Sequence, residues 1–179
     1  MKALKNIGYV LLLVVLGLAL IGLYLPGGVS VERRLEIAAP PAALFPLLDS
    51  PQAFTRWSPW STPGAGVRYG FDGPATGVGA TLQWQGGAFP MGSGSYTITD
   101  IDPDRRVEMR FLHPLLGKTH STLELAATPD AAGTLVAWRF YDDVGFNLPR
   151  RLLWLLADLT MGPQLERGLD NLRALAGRR

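Results

Sequence analysis

The chain of 179 residues contains no cysteine, which excludes disulfides, thiolate nucleophiles and cysteine-based zinc sites. Histidine is scarce: only His113 and His120 occur, and two histidines without a third ligand make a poor metal site. No sign of charge dominates. There are 17 Lys and Arg against 15 Asp and Glu, and removing Lys2 and Lys5 of the apolar N-terminus leaves 15 against 15. A neutral domain with no basic stripe is not built for nucleic acid, where phosphate contacts dominate affinity. Internal repeats and low-complexity tracts are also missing, and no Gly-Lys-Ser/Thr follows the glycine-rich stretches 73–79 and 86–94. No cofactor and no metal is therefore expected.

The sequence does have one long apolar run. Ile7 to Leu25 is 19 residues without a charge, enough for a helix to cross a hydrocarbon core of about 30 Å. Tyr9 and Tyr24 stand near its ends, where amphipathic rings favour the interface, and Pro26-Gly27-Gly28 ends it. A cleaved signal peptide is the competing reading. The run exceeds the usual h-region of about 7–15 residues, and no Ala-x-Ala site follows. Residues 1–26 are thus expected to anchor the chain as a single-pass membrane protein. Residues 27–179 would form one domain, placed in the periplasm or outside the cell. Lys2 and Lys5 before the span are nearly balanced by Arg33 and Arg34 after it, so orientation rests on the short basic N-terminus staying inside.

The soluble part alternates with period two in several segments. Ser30–Ile37 places Val31, Arg33, Leu35 and Ile37 opposite Glu32, Arg34 and Glu36. Pro40-Pro41 opens a helix with Leu44, Phe45, Leu47 and Leu48, stopped by Asp49-Ser50-Pro51, and a second helical turn reaches Arg56. Six further strands are predicted at 67–71, 80–85, 94–101, 106–112, 118–128 and 134–141, separated by turn residues. Steps of three and four then run from Leu148 through Leu152, Leu155, Leu159, Gly162, Leu165, Leu169 and Leu172 to Ala176, with Gly162-Pro163 expected to kink this helix. The order predicts an α+β helix-grip fold: a curved antiparallel sheet around one long C-terminal helix.

These pieces resemble the START-like superfamily, the polyketide cyclase/dehydrase and lipid transport group also labelled SRPBCC. The resemblance covers about Val29 to Leu175. It rests on the first strand running into IAAPPAALFPLLDS, on FTRWSPW (Phe54–Trp60), on GPATGVGATLQWQG (Gly73–Gly86) and on the terminal MGPQLERGLDNLRAL (Met161–Leu175). It implies a hydrophobic pocket and does not imply catalysis.

Candidate site residues follow from the apolar side of each element. Trp57, Trp60, Leu82, Trp84, Met109, Phe111, Leu123, Trp138, Phe140, Leu155 and Leu159 would line a sheet-to-helix space, with Met91 in a loop that closes it. The alternative for the tryptophans is plain core packing, with Trp57 and Trp60 as a corner fixed by Pro59. Asp158 near the stripe boundary would either orient a polar ligand head or pair with Arg150, Arg151 or Arg139. Arg110 and Arg139 are expected in solvent. Asp100, Asp102 and Asp104 copy the start of a calcium loop, but Arg105 and Phe111 stand where Gly and Glu are needed, so a hairpin turn is expected.

Three functions are compatible with this set. The first is a membrane-anchored binding protein for a hydrophobic or amphipathic small molecule or lipid, such as a polyketide or isoprenoid. The second is a cyclase- or hydrolase-type enzyme using His120, Asp142 or Asp158, which needs a titratable pair converging in the pocket. The third is a protein-interaction scaffold presenting Trp57–Trp60 or Leu153-Trp154 as an exposed patch. The first ranks highest because no paired constellation is visible.

Overall fold

A computed structural model describes residues 6–9, 12–13, 16–17, 27–61, 66–86, 92–114, 117–129, 132–145, 147, 150–151, 154 and 156–178. Seven antiparallel strands form one sheet: β1 Gly28–Ile37, β2 Arg68–Asp72, β3 Thr81–Gln85, β4 Gly94–Asp102, β5 Arg106–His113, β6 Gly117–Ala127 and β7 Thr134–Asp143. Their spatial order is β1-β7-β6-β5-β4-β3-β2, so hairpins build a meander and β1 returns to pair with β7. Two short helices, α1 Pro41–Leu48 and α2 Pro51–Trp57, follow β1, and α3 Ala157–Ala176 closes the domain. This is the helix-grip arrangement.

Local chemistry explains the boundaries. Proline in the first turn of both α1 and α2 sets φ where no N–H partner is lost. Ser50 caps α2, its Oγ accepting from Ala53 N at 3.4 Å. In β4 the register slips between Ile98 and Asp100, a bulge that adds twist in mid-sheet. The Asp102–Arg106 turn puts Asp104 at φ 59, and Asp100 pairs with Arg106, so the three aspartates form a hairpin end.

The long terminal stripe needs correction. α3 runs unbroken across Gly162-Pro163, and the chain turns earlier, at Leu156. Gly162, Leu165, Leu169 and Leu172 are buried as the stripe requires, but Leu159 is 73 % exposed. Ala157 of the same turn is buried and Asp158 meets β1, so Leu159 is exposed because it points away from the face made by Ala157, Leu165, Gly168, Leu169 and Leu172. Leu148, Leu152 and Leu155 lie outside the described residues, as does most of the apolar run 7–25. Of that run the described positions Ile7–Tyr9, Leu12, Leu13, Leu16 and Gly17 are helical. No helix among the described residues is long and apolar enough to cross a membrane.

The register fixes what each face carries. Facing α3, successive cross-strand rows read Leu82–Tyr96–Phe111–Thr119 and Asp142–Val29, then Ile98–Met109–Ser121–Phe140–Val31, then Val107–Leu123–Trp138–Arg33. The opposite face is polar. Glu32 there takes Arg34 at 2.5 Å and Arg139, and Glu108 accepts from Tyr141 Oη at 3.0 Å and lies near Arg106. Burial pushes the Glu32 carboxyl up, but the two arginines outweigh it and hold it below the usual carboxylate range. Arg139 lies on the solvent face, as expected, and there forms an ion pair with Glu32.

Candidate functional site

The space between sheet and helices is divided into two halves. In one it is closed. Trp138 is fully buried, and its ring meets Trp57 at 5.2 Å and Trp60 at 5.7 Å between centroids, both edge-on. Its indole N–H donates to Ser121 Oγ at 2.9 Å. Above it the helix has no side chain to interpose: a Cβ on Gly168 would stand 2.5 Å from Trp138 Cζ3 and 2.9 Å from Pro59 Cδ. Trp57 is equally buried, donates to the Leu47 carbonyl at 2.9 Å, and offers its own carbonyl to Asn171 Nδ2 of α3 at 3.1 Å. Trp57, Trp138, Met109 and Leu123 are therefore core, and the corner reading of Trp57 and Pro59 is the structural one.

The other half lies toward the strand ends Gly28, Gly94, His113, Gly117 and Asp143, which the register brings to one edge of the sheet. Here the aromatic wall comprises Trp60, Trp84, Tyr96, Phe111 and Phe140. Phe111 is the hub, with ring centroids 5.2 Å from Tyr96, 5.0 Å from Phe140 and 6.4 Å from both Trp60 and Trp84. Burial is uneven here: Tyr96 is at 0 %, Leu82 at 2 % and Phe140 at 3 %. Trp84, Phe111, Thr119 and Asp142 retain 7–9 %, against 0 % for Trp57, Trp138, Met109 and Leu123. Trp84 lies across the β4 backbone, because a Cβ on Gly94 would collide with its Cζ2 and stand 2.8 Å from the Leu112 carbonyl. The absence of a side chain at Gly94 thereby leaves room for the indole. Leu82 is buried beside it. Met91 and Leu155, also expected here, lie outside the described residues.

Polar groups border the same half. Asp142 is buried and paired with Arg150, which also donates to the Lys118 carbonyl at 3.2 Å. Arg151 donates to the Gly145 carbonyl at 2.5 Å and approaches Gly27. A depression of about 420 Å³ opens beside this corner, lined by Gly27–Ser30 and Tyr141–Asp143. Sequence reasoning omitted Tyr96 and Thr119. Continuing the alternation of β4 and β6 one step toward the strand ends would have found both.

The residues that an enzyme reading would combine do not meet. His120 pairs in register with Arg110 and Tyr141, stacks on Tyr141 at 5.4 Å and faces Glu108 on the polar side of the sheet. His113 is in register with Gly117 on the helix-facing side, so the two histidines are on opposite faces. Asp142 faces the helix but is held by Arg150. Asp158 is on the surface of α3.

Among the described residues Asp158 is paired with a residue other than the expected Arg139, Arg150 or Arg151. Its partner is Arg33, the one charged residue on the apolar side of β1. Arg33 Nη1 donates to Asp158 at 2.8 Å and Nε to Glu166 at 2.6 Å, and its guanidinium lies over Gly162, where a Cβ would stand 2.8 Å from Cζ. Asp158, Gly162 and Glu166 are four residues apart on one helix face, so one arginine straps α3 to the edge strand. The hydrogen bond from Arg33 holds the Asp158 carboxyl below its ordinary 3.8. A depressed carboxyl contributes stability that is complete above its unfolded pKa and lost as pH falls through its folded value. Thermal midpoints of the wild type and Arg33→Met should therefore differ at neutral pH and converge below about pH 4. A difference that persists undiminished in acid would show that the strap is not electrostatic.

Comparison with known proteins fits this architecture. A family model described as polyketide cyclase / dehydrase and lipid transport matches residues 28–177. No curated protein sequence matches the chain. Among solved structures, norcoclaurine synthase from Thalictrum flavum, in complex with dopamine and hydroxybenzaldehyde, superposes with a TM-score of 0.63 at 16 % identity, covering 85 % of this chain and 88 % of that one. An uncharacterized protein from Rhizobium leguminosarum gives 0.56 at 22 % identity over 85 % and 96 %, and a protein from Arthrobacter aurescens gives 0.58 at 18 % over 84 % and 87 %. At these identities the likeness to solved structures is one of fold. The family model spans every strand and helix of the grip, and with the aromatic half-space described above it places this chain in the polyketide cyclase/dehydrase and lipid transport family.

Proposed function

We propose that this protein binds a hydrophobic or amphipathic small molecule between Trp60, Trp84, Phe111 and Phe140, and does so tethered to a membrane through residues 7–25. The carrying observation is the aromatic wall at the strand ends, where Trp84 and Phe111 keep 9 % and 7 % of their surface, whereas Trp138 is sealed against the α3 backbone. Apolar walls with a few polar groups at one border are the usual make-up of a small-molecule site. The solved norcoclaurine synthase holds two aromatic molecules within the same fold.

The tether supports the reading by its position. β1 begins at Gly28, in register with Asp143, so the apolar N-terminal run joins the domain at the edge where the accessible half lies. Leu156 and Leu159, both exposed, follow Arg151, which reaches Gly27. In this reading the mouth faces the bilayer in which an apolar ligand partitions, with the domain on the outer side of the membrane.

Native mass spectrometry of the full chain released from detergent should show a co-purified small molecule at one per chain. A spectrum of bare protein only, under conditions that preserve a control lipid–protein complex, would contradict the proposal.

A further inference from the structure

The two edges of the sheet are built differently. β1 carries Glu32, Arg33, Arg34 and Glu36, with Arg33 on its inner side, and such charges guard an edge against pairing with another chain. β2, the opposite edge, reads Arg68-Tyr69-Gly70-Phe71-Asp72 and is exposed at every residue. It contains no proline or lysine, and its register with β3 has no bulge. Among the described residues its backbone hydrogen bonds run only to β3. Tyr69 and Phe71 stand in register with Trp84 and Leu82 on the helix-facing side, but they stay 38 % and 47 % exposed. Arg68 has no carboxylate partner among the described residues, and Asp72 accepts only from Gly73 N at 2.8 Å.

The residue order of β2 is complementary to itself. A second copy turned about a two-fold axis through Gly70 pairs antiparallel with the first, and sets Arg68 against Asp72, Tyr69 against Phe71 and Gly70 against Gly70. That register makes two opposite-charge pairs on the polar face and two aromatic pairs on the helix-facing side, and both kinds of cross-strand pair are stabilising. The neighbouring registers, centred on Tyr69 or Phe71, set a charge against Gly70 and lose both ion pairs. We propose that β2 is an interface between two copies of this chain, joining their sheets edge to edge in the Gly70-centred register. The interface is independent of the ligand. It also suits a tethered chain: at about 20–25° of twist per strand, six steps turn β2 through roughly 120–150° from β1, so a half-turn at β2 leaves the two N-terminal runs at an angle rather than opposed. Five residues a side make a small interface, so the association is weak and reversible.

A covalent trap tests a contact of this kind. The chain has no cysteine, so one introduced thiol is the only one present. Gly70→Cys fits the monomer, because a Cβ there meets only Gln83 Cβ at 3.8 Å. Opposing Cβ atoms across the axis stand about 4.5–5.5 Å apart, close to disulfide geometry. Gln83→Cys is the control. It is exposed on the same face one strand further in, about 14 Å from its counterpart at ~4.8 Å per strand. The purified full chain in detergent is oxidised with copper phenanthroline, and dimer is followed on non-reducing gels. Gly70→Cys should cross-link about tenfold faster than Gln83→Cys, or more, because only the former thiol is held beside its counterpart. Adding Arg68→Asp sets like charges opposite each other in both pairs and should slow the trap about tenfold. Adding Asp72→Arg as well exchanges the two charges and should restore the rate. Equal rates for Gly70→Cys and Gln83→Cys overturn the interface. A fast trap that Arg68→Asp leaves unchanged overturns it too, since the register rests on those ion pairs.

Discussion

Replacing Trp138 with alanine is expected to lower the unfolding free energy by about 3–5 kcal/mol. That is a large part of what a domain of this size possesses. Three effects combine. The indole fills the layer between β7 and α3 with no accessible surface, so its removal leaves a cavity that cannot fully collapse. Its edge-on contacts with Trp57, Trp60 and Phe54 disappear. Ser121 Oγ, buried beneath it, loses its donor. Gly168→Ala should destabilise the same layer from the other side, since the new methyl group would meet both Trp138 and Pro59. Chemical denaturation of the purified chain reads both. A loss below about 1 kcal/mol for Trp138→Ala would mean that this half of the interior is already open.

Trp84→Ala has its main effect elsewhere. The indole stands against Gly94 at the strand ends and keeps 9 % of its surface. Withdrawing about 100 Å² of apolar contact from a ligand at ~25 cal/mol per Å² corresponds to about 2.5 kcal/mol, or an affinity loss of about thirty- to one-hundredfold. The co-purified molecule seen by native mass spectrometry should vanish from this variant while folding is retained. Unchanged occupancy in a folded Trp84→Ala protein would remove Trp84 from the site. The two tryptophans, both on apolar strand faces, are thus expected to separate: Trp138 governs stability and Trp84 governs occupancy.

That separation was not legible in the sequence. Alternation gave the strand faces and placed Trp84, Trp138, Phe111 and Phe140 on the same side, because period two depends only on neighbouring side chains. Whether a given tryptophan meets a helix backbone or open space depends on which α3 residue lies opposite, and that is set by tertiary packing. Gly168 shows the point: in sequence it is a small residue on a helix, and in the fold it is the contact that seals half the interior. Arg33 is similar. The alternation of β1 already put it on the apolar side, but its partners Asp158 and Glu166 are more than a hundred residues away. Leu159 fails in the opposite sense. Its steps of three and four suggest a buried position, but the helix turns its buried face through Ala157 and Leu165 and leaves Leu159 on the outer side.

The site claim is tested most directly by photoaffinity labelling in the membrane. The full chain, in native membranes, is exposed to an apolar diazirine probe and the labelled peptides are mapped. The account predicts labels on Trp84, Phe111 and Phe140 in addition to the N-terminal run, with none on Trp57 or Leu123. Labels confined to residues 7–25, or placed on the polar sheet face around Glu108 and His120, would contradict it.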